Sequence, residues 1–152
     1  MWFKNLLIYR IRDWKLSAAQ LDEALARQAF QGCGSLDMTS RGWVPPQGQG
    51  DELVHSLDRR MLIALGVEKK LLPATVINQY AKERAADIEE QQGYAPGRKQ
   101  LREIKEQVTD ELLPRAFGCR RTTFAWIDPI GGWFVVDAAN AAKAEELLEA
   151  LK

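Results

Sequence analysis

The sequence contains few of the residues that enzymes and metal sites commonly use. It has one histidine, His55, and two cysteines, Cys33 and Cys119, in 152 residues. No group of cysteine, histidine and acidic residues has the spacing of a zinc site. No glycine-rich loop has the Lys-Ser/Thr ending of a phosphate-binding motif, and no nucleophile is accompanied by a base. The sequence therefore predicts a protein that is not an enzyme and that uses no cofactor or metal.

An excess of charge of one sign is also absent. The chain has 21 basic and 21 acidic residues and a formal net charge of zero, whereas a strongly cationic nucleic-acid binder has an excess of Lys and Arg. Any electrostatic function must therefore be local. The apolar stretch at residues 2–8 is too short to span a bilayer. Together with two reduced thiols and no signal peptide, it predicts a cytoplasmic protein without a membrane partner.

The pattern that is present is typical of a mixed α and β protein. Ser17 and Gln20 form a capping box at the start of a helix that Gly32 is expected to end, and Asn140 caps the last helix. The predicted fold class is α+β, a mainly antiparallel sheet with flanking helices and a projecting antiparallel helical hairpin, in the order β-α-β-β-(αα)-β-β-α. Strands are predicted over residues 2–11, 34–44, 55–57, 61–67, 120–127 and 133–137.

The predicted hairpin lies between two Leu-Leu-Pro strings, at residues 71–73 and 112–114. A break at Tyr94 to Gly97 divides the segment into two helices. Each helix has one apolar stripe, so the two should pack antiparallel. The stripes consist of Ile77, Tyr80, Ala81, Ala85 and Ile88 in the first helix and of Leu101, Ile104, Val108 and Leu112 in the second.

The hairpin suggests a division of the chain into two parts. Residues 1–72 and 118–152 are predicted to form a sheet-containing body, and residues 73–117 a projecting tip. The first strand, residues 2–11, is rich in β-formers and is predicted to be largely buried. The last helix shows no C-cap signal, so we expect this end of the chain to be a cut rather than a finished terminus.

Basic residues cluster on the second helix of the hairpin and near its base. Spacings of four and three place Arg98, Arg102 and Lys105 on one face, as phosphate binding through counterion displacement requires. Glu103 and Glu106 are among the acidic residues that interleave with these basic residues, so a solvated helix face explains the pattern equally well. The other basic residues of the cluster are Lys99, Lys69, Lys70, Arg115, Arg120 and Arg121.

The tryptophans give further expectations about burial. Trp2, Trp126 and Trp133 lie in strand patterns and are predicted to be core residues. Trp43 immediately precedes Val44 and a tandem proline and is a candidate loop anchor, and Trp14 is a candidate exposed aromatic.

Six strings are distinctive in their residues and spacing: Trp2-Phe3-Lys4-Asn5-Leu6, Cys33-Gly34-Ser35, Gly42-Trp43-Val44-Pro45-Pro46, Leu72-Pro73 with Val76-Ile77, Leu112-Leu113-Pro114-Arg115-Ala116-Phe117, and Trp126-Ile127-Asp128. Together they closely resemble the N-terminal half of the bacterial recombination-associated protein RdgC family. The resemblance spans essentially the whole chain. Members of that family are about twice as long as this chain, so the resemblance implies that the chain is the truncated N-terminal half of a longer protein.

The resemblance implies a non-enzymatic protein that forms ring-shaped homodimers and binds double-stranded DNA without sequence preference. It also implies antagonism of RecA-promoted strand exchange and association with the nucleoid. At the tip, Phe117 and Arg120 would make the dimer contact. Arg120 stands there in place of an apolar contact residue, which would allow it to add a phosphate contact. The residues expected to contact phosphates, or to line the path to them, are Arg98, Lys99, Arg102, Lys105, Arg115, Arg120 and Arg121.

An alternative function is a protein–protein assembly module. The hairpin would then mediate oligomerisation through apolar stripes that are partly exposed, and this fragment would bind little DNA. Alanine substitution of Arg98, Arg102 and Lys105 distinguishes the two functions, because it removes DNA binding in the first and changes association in the second.

Overall fold

The computed structural model describes residues 3–152, so Trp2 lies outside the described residues. The strands and helices confirm the predicted α+β class. Residues 55–57 and 60–70 form separate strands, so three strands lie between the first helix and the hairpin. In chain order the elements are β1 (Leu6–Arg10), α1 (Ala18–Ala26), β2 (Thr39–Val44), β3 (His55–Leu57), β4 (Arg60–Lys70), α2 (Ala74–Gln92), α3 (Arg98–Leu112), a 3₁₀ turn (Leu113–Arg115), β5 (Gly118–Asp128), β6 (Trp133–Asp137) and α4 (Ala141–Leu151).

The described residues group into two compact units. The first consists of residues 3–32, Ser40–Val67 and Arg120–Lys152, and the second of Cys33–Thr39 and Glu68–Cys119. The predicted division into a body and a projecting tip stays a prediction. No helix among residues 3–152 is long and apolar enough to cross a membrane.

The strands form one sheet in the order β1-β6-β5-β4-β2, with β3 also paired to β4. Pairing is antiparallel between β1 and β6, between β5 and β6, and between β3 and β4, as predicted. The register places Ile8 beside Val135 and Val135 beside Trp126. These three side chains therefore share one face of the sheet.

The core of the first unit lies on the opposite face of the sheet, where α1 and α4 pack. Alternate strand residues point into it, and each fully buried large apolar side chain stabilises the fold by about 1.5–3 kcal/mol. Both predicted caps are present. The Ser17 hydroxyl accepts from the Gln20 backbone, and the Asn140 side chain accepts from the Lys143 backbone. Buried members of this core include Leu21, Leu25, Ile63, Ile127, Phe134, Val136, Ala144 and Leu147.

Helix α1 is shorter than predicted, because it ends at Ala26 rather than continuing to Gly32. Backbone bonds to β2 replace further helical bonds. The N–H of Phe30 donates to the Trp43 carbonyl, and the N–H of Trp43 donates to the Gln28 carbonyl, both at 2.9 Å. Trp43 is 2% exposed and belongs to the core, so its prediction as a loop anchor was wrong.

Other burial predictions were wrong because the sheet has a second, open face. Trp133 is 41% exposed, while its neighbour Phe134 is buried. Strand β1 alternates instead of being largely buried, since Leu6 and Ile8 are 52% and 59% exposed. Trp14 was expected to be exposed but is half-buried, and its indole N–H donates to the Leu16 carbonyl at 2.8 Å.

The second unit contains the two helices of the hairpin. Gly93, with φ 82°, ends α2 in the left-handed conformation that glycine adopts readily. The helices pack through a small cluster in which Ala81, Ile104 and Val108 are buried, as the stripes predicted. Two residues of the predicted stripes are exposed instead of packed, since Tyr80 and Leu101 remain 47% and 36% exposed. The side chains packed against the cluster are Ile77, Ala85, Ile88 and Leu112.

Candidate nucleic-acid interface

The basic row on α3 starts at the first residue of the helix. Gly97 is the N-cap, and Arg98 follows it directly. Arg98, Lys99, Arg102 and Lys105 are all exposed. With a rise of 1.5 Å per residue, the row from Arg98 to Lys105 is about 10 Å long. The structure thus brings the three predicted residues Arg98, Arg102 and Lys105 together on one helix and leaves them accessible.

The charges of this row are not matched by ion pairs. Among the residues that the structure describes, no carboxylate oxygen lies within 4.0 Å of a charged nitrogen of Arg98, Lys99, Arg102 or Lys105. Cations near a helix N-terminus oppose the macrodipole. The row therefore gains no stabilisation from the helix dipole. Because its ammonium and guanidinium groups have no carboxylate partner, they remain available to an anion.

One acid of the same helix is instead paired across the hairpin. The Arg84 guanidinium on α2 donates to both carboxylate oxygens of Glu111, at 2.9 and 2.7 Å. These hydrogen bonds lower the pKa of Glu111 and raise the pKa of Arg84. Glu111 is thus already neutralised by Arg84, and it offsets the basic row less than its position in the sequence suggests.

Other acids remain close to the row. Arg102, Lys105, Glu106, Thr109 and Asp110 line a shallow depression on the surface of α3. A phosphate that approaches Arg102 and Lys105 would meet repulsion on the Asp110 side. The favourable path for an anion therefore runs toward the N-terminal end of α3, along Arg98 and Arg102.

Lys70, considered with the basic cluster, has a structural role. It is 8% exposed, and its ammonium donates to the Leu113 carbonyl at 2.8 Å. A buried ammonium with this partner cannot contact a phosphate from outside. By contrast, Arg115 is exposed, and Phe117 is 84% exposed. The backbone carbonyl of Phe117 accepts from Leu71 at 2.7 Å, so an ordered backbone presents the exposed ring.

Arg120 and Arg121 belong to the first unit and point to opposite faces of β5, because successive strand residues alternate. Arg121 pairs with the carboxylate of Glu146 on α4 and also donates to the Thr123 hydroxyl at 3.4 Å. The Arg120 guanidinium lies 5.2 Å from the centre of the Phe30 ring. Both side chains are exposed, but Arg121 would have to leave Glu146 before it could bind a phosphate with its full charge.

The cysteines and acids show no arrangement for metal binding. Both cysteines are free thiols. Burial is the main cause that raises the pKa of Cys33, whose Sγ lies 3.6 Å from the Glu68 carbonyl oxygen. Across residues 3–152, no group of three or more histidine, cysteine, aspartate or glutamate side chains is placed to hold a metal ion.

One surface of the first unit was not predicted from sequence. The open sheet face is defined here as the apolar groove lined by Leu6, Ile8, Leu57, Trp126 and Val135, with a volume of about 510 Å³. The continuous apolar run at residues 6–8 was the signal for it. Such a run is typical of a strand that is covered on both faces.

Comparison with known proteins shows similarity over the whole chain. A family model described as "Putative exonuclease, RdgC" matches residues 1–152. The chain is 61% identical over 152 residues to the recombination-associated protein RdgC of Janthinobacterium sp. (strain Marseille), a match that covers 99% of this chain and 50% of that protein. It is 58% identical over 152 residues to the protein of the same name from Herminiimonas arsenicoxydans, with the same two coverages.

A third relative, the recombination-associated protein RdgC of Bordetella pertussis, is 57% identical over 149 residues, which are 97% of this chain and 50% of that protein. The chain therefore spans about half the length of the curated relatives it matches.

Proposed function

The chain belongs to the RdgC family, and on this basis we propose that it is part of a recombination-associated protein that binds double-stranded DNA without sequence preference. The observation that carries the proposal is the row of exposed basic side chains on α3. These side chains have no carboxylate partner among the described residues. The names of the curated relatives support a role in recombination, and recombination acts on DNA.

The geometry of the row suits a phosphate backbone. Phosphates follow one another every 3.4 Å along the axis of each DNA strand, so a row of about 10 Å can meet two or three of them. Contacts from Arg and Lys to phosphates position a protein without reading the bases. Binding should therefore be similar for unrelated sequences and should weaken steeply with salt.

The full proposal extends to assembly and regulation. The protein acts as a ring-shaped homodimer, restrains RecA-type strand exchange, and is a nucleoid-associated cytoplasmic protein rather than an enzyme. The exposed ring of Phe117 supports a contact between partners, because a large apolar side chain that is 84% exposed gains most from burial. Arg120 is the second residue proposed at this contact. Arg115, Arg120 and Arg121 are proposed as additional phosphate contacts.

Substitution of Arg98, Arg102 and Lys105 by alanine tests the DNA contact. Fluorescence anisotropy with two unrelated duplexes, between about 50 and 200 mM salt, should show weaker binding to both. The slope of log K against log salt should fall in magnitude by about 0.9 for each lost phosphate contact, and so by about 2–3. Replacement of Arg12, Lys15 and Lys143 by alanine is the matched control, because it removes the same charge from exposed positions elsewhere.

Several outcomes would contradict the proposal. These are an equal loss of binding in the control variant, a flat response to salt, or a strong preference for one duplex. Degradation of the duplex in the presence of Mg²⁺ by the unsubstituted protein would overturn the proposal that it is not an enzyme.

A protein–protein assembly module is the second candidate function. The exposed apolar side chains of the second unit, Phe117, Tyr80 and Leu101, favour it. Under this function the alanine variant of Arg98, Arg102 and Lys105 changes the sedimentation behaviour of the protein, while its DNA binding stays the same.

A further inference from the structure

The open sheet face of the first unit is an ordered apolar surface. Its centre is a cross-strand row in which Ile8 on β1 pairs with Val135 on β6, and Val135 pairs with Trp126 on β5. Leu6 and Leu57 flank the row and are 52% and 66% exposed. The other face of the same strands is already covered by α1 and α4.

An antiparallel sheet with one solvated face normally has polar residues on that face. Here the central outward positions, Ile8 on β1, Val135 on β6 and Trp126 on β5, are apolar, and the charged residues Arg10, Asp128 and Asp137 lie toward the strand ends on the same face. Large contiguous apolar patches mark sites of association. The rim is polar and ordered. The Arg60 guanidinium lies 5.4 Å from the centre of the Trp126 ring and 3.8 Å from an Asp128 carboxylate oxygen. An apolar centre with a polar rim is the usual anatomy of a protein interface.

We propose that the open sheet face is the docking surface for the other half of the full-length protein, so that the sheet is covered on both sides in the complete chain. The length of the relatives selects this occupant. The chain is 58–61% identical to two of them but covers only 50% of each. The remaining polypeptide is tethered to this unit and is therefore present at high effective concentration. The apolar run from Leu6 to Ile8 in β1 is typical of a strand segment that is buried on both faces.

The test compares the 152-residue chain with a full-length chimera in which the same chain replaces the matching half of the Janthinobacterium relative. Amide hydrogen exchange at Leu7 to Tyr9 should slow by about tenfold or more in the chimera, because a covered strand opens less often.

Ile8→Lys should lower the melting temperature of the chimera and leave that of the 152-residue chain within about 2 °C, since Ile8 is exposed there. Ile130→Lys is the matched control, because Ile130 is 71% exposed and does not line the groove.

Equal exchange at β1 in the two proteins would overturn the proposal, and so would equal effects of Ile8→Lys and Ile130→Lys on the chimera. Dimerisation of the 152-residue chain that Ile8→Lys abolishes would make a second copy the occupant instead. If Ile8→Lys unfolds the short chain, Leu57→Lys on the short strand β3 gives the same comparison. If the chimera does not fold, the remaining half is co-expressed separately. Co-purification that survives Ile130→Lys but not Ile8→Lys then supports the proposal, and failure to co-purify overturns it.

Salt-dependent DNA binding by α3 and docking at the open sheet face are separate properties of the two units. Either can fail in these experiments while the other is retained.

Discussion

Single residues in this chain decide where segments meet and which charges are available. Gly42 on β2 permits the close approach of the segment after α1, because a Cβ atom at this position would lie 2.5 Å from the Cα of Phe30. Trp43 can then exchange backbone hydrogen bonds with Gln28 and Phe30 while its indole is buried. The absence of a side chain at Gly42 thus permits the backbone pairing of the segment that follows α1.

Gly42→Ala should destabilise the protein by about 1–3 kcal/mol or more, because the neighbour that the methyl group meets is backbone and cannot rotate away. Urea unfolding measures the change. Gly97→Ala is the control, since a Cβ there meets nothing within 4 Å and φ is −75°. It should change stability by less than about 1 kcal/mol, as reduced freedom of the unfolded chain offsets the loss of glycine at the N-cap. Equal effects of the two substitutions would contradict the close approach.

At the scale of elements, contacts between the two helices hold the hairpin of α2 and α3 together. The hairpin of α2 and α3 has a small apolar cluster and a bidentate ion pair between Arg84 and Glu111. The ion pair lowers the pKa of Glu111. A carboxyl group whose pKa is lower in the folded state stabilises the fold above its unfolded pKa, and this contribution disappears as the pH falls through the folded pKa.

Glu111→Gln should therefore lower the melting temperature at neutral pH. The difference from the unsubstituted protein should shrink as the pH falls below about 4.3, the ordinary pKa of glutamate. Circular dichroism melts across this pH range measure it. Glu83→Gln on α2 is the control, because Glu83 is exposed and forms no ion pair within the described part of the chain. A difference that is constant with pH, or that grows in acid, would contradict the role of the pair.

At the scale of the whole molecule, the two compact units contain apolar clusters of unequal size. The cluster of the first unit draws buried side chains from both α1 and α4 and from strands of the sheet. In the cluster of the second unit, Ala81, Ile104 and Val108 are the buried residues that the structure describes. Because the hydrophobic contribution scales with buried apolar area, the second unit should open more easily than the first.

Native-state hydrogen exchange should show this difference residue by residue. Amides of Ile104 and Val108 should exchange at least about tenfold faster than those of Ile63 and Val136, which corresponds to about 1.4 kcal/mol in opening free energy. Ile104→Ala, which removes a buried side chain at a cost of about 2–5 kcal/mol, should accelerate exchange in α2 and α3. Exchange at Ile63 and Val136 should stay unchanged. Uniform acceleration at all four positions would show that the units unfold together.

Features that depend on local chemistry could be predicted from the residue pattern. The capping box at Ser17, the Asn140 cap and the antiparallel strands around residues 128–133 follow from short-range hydrogen bonds and periodicity, and the structure contains them. The apolar stripes gave the packed residues of the hairpin, and their spacing correctly placed Ile104 and Val108 inside. The basic row of α3 was also visible, because helical spacing fixes which side chains share a face.

Which of these groups are accessible to a partner depends on the fold as a whole. Lys70 and Arg98 are both basic residues at the ends of elements, but Lys70 is buried against the Leu113 carbonyl and Arg98 is exposed. Trp43, predicted as a loop anchor, belongs to the core, and Trp133, predicted as a core residue, is exposed. The covered face of a strand depends on elements that are distant in sequence. Burial and pairing are long-range properties, set by the partners that the fold brings together rather than by a residue's own neighbours in the chain.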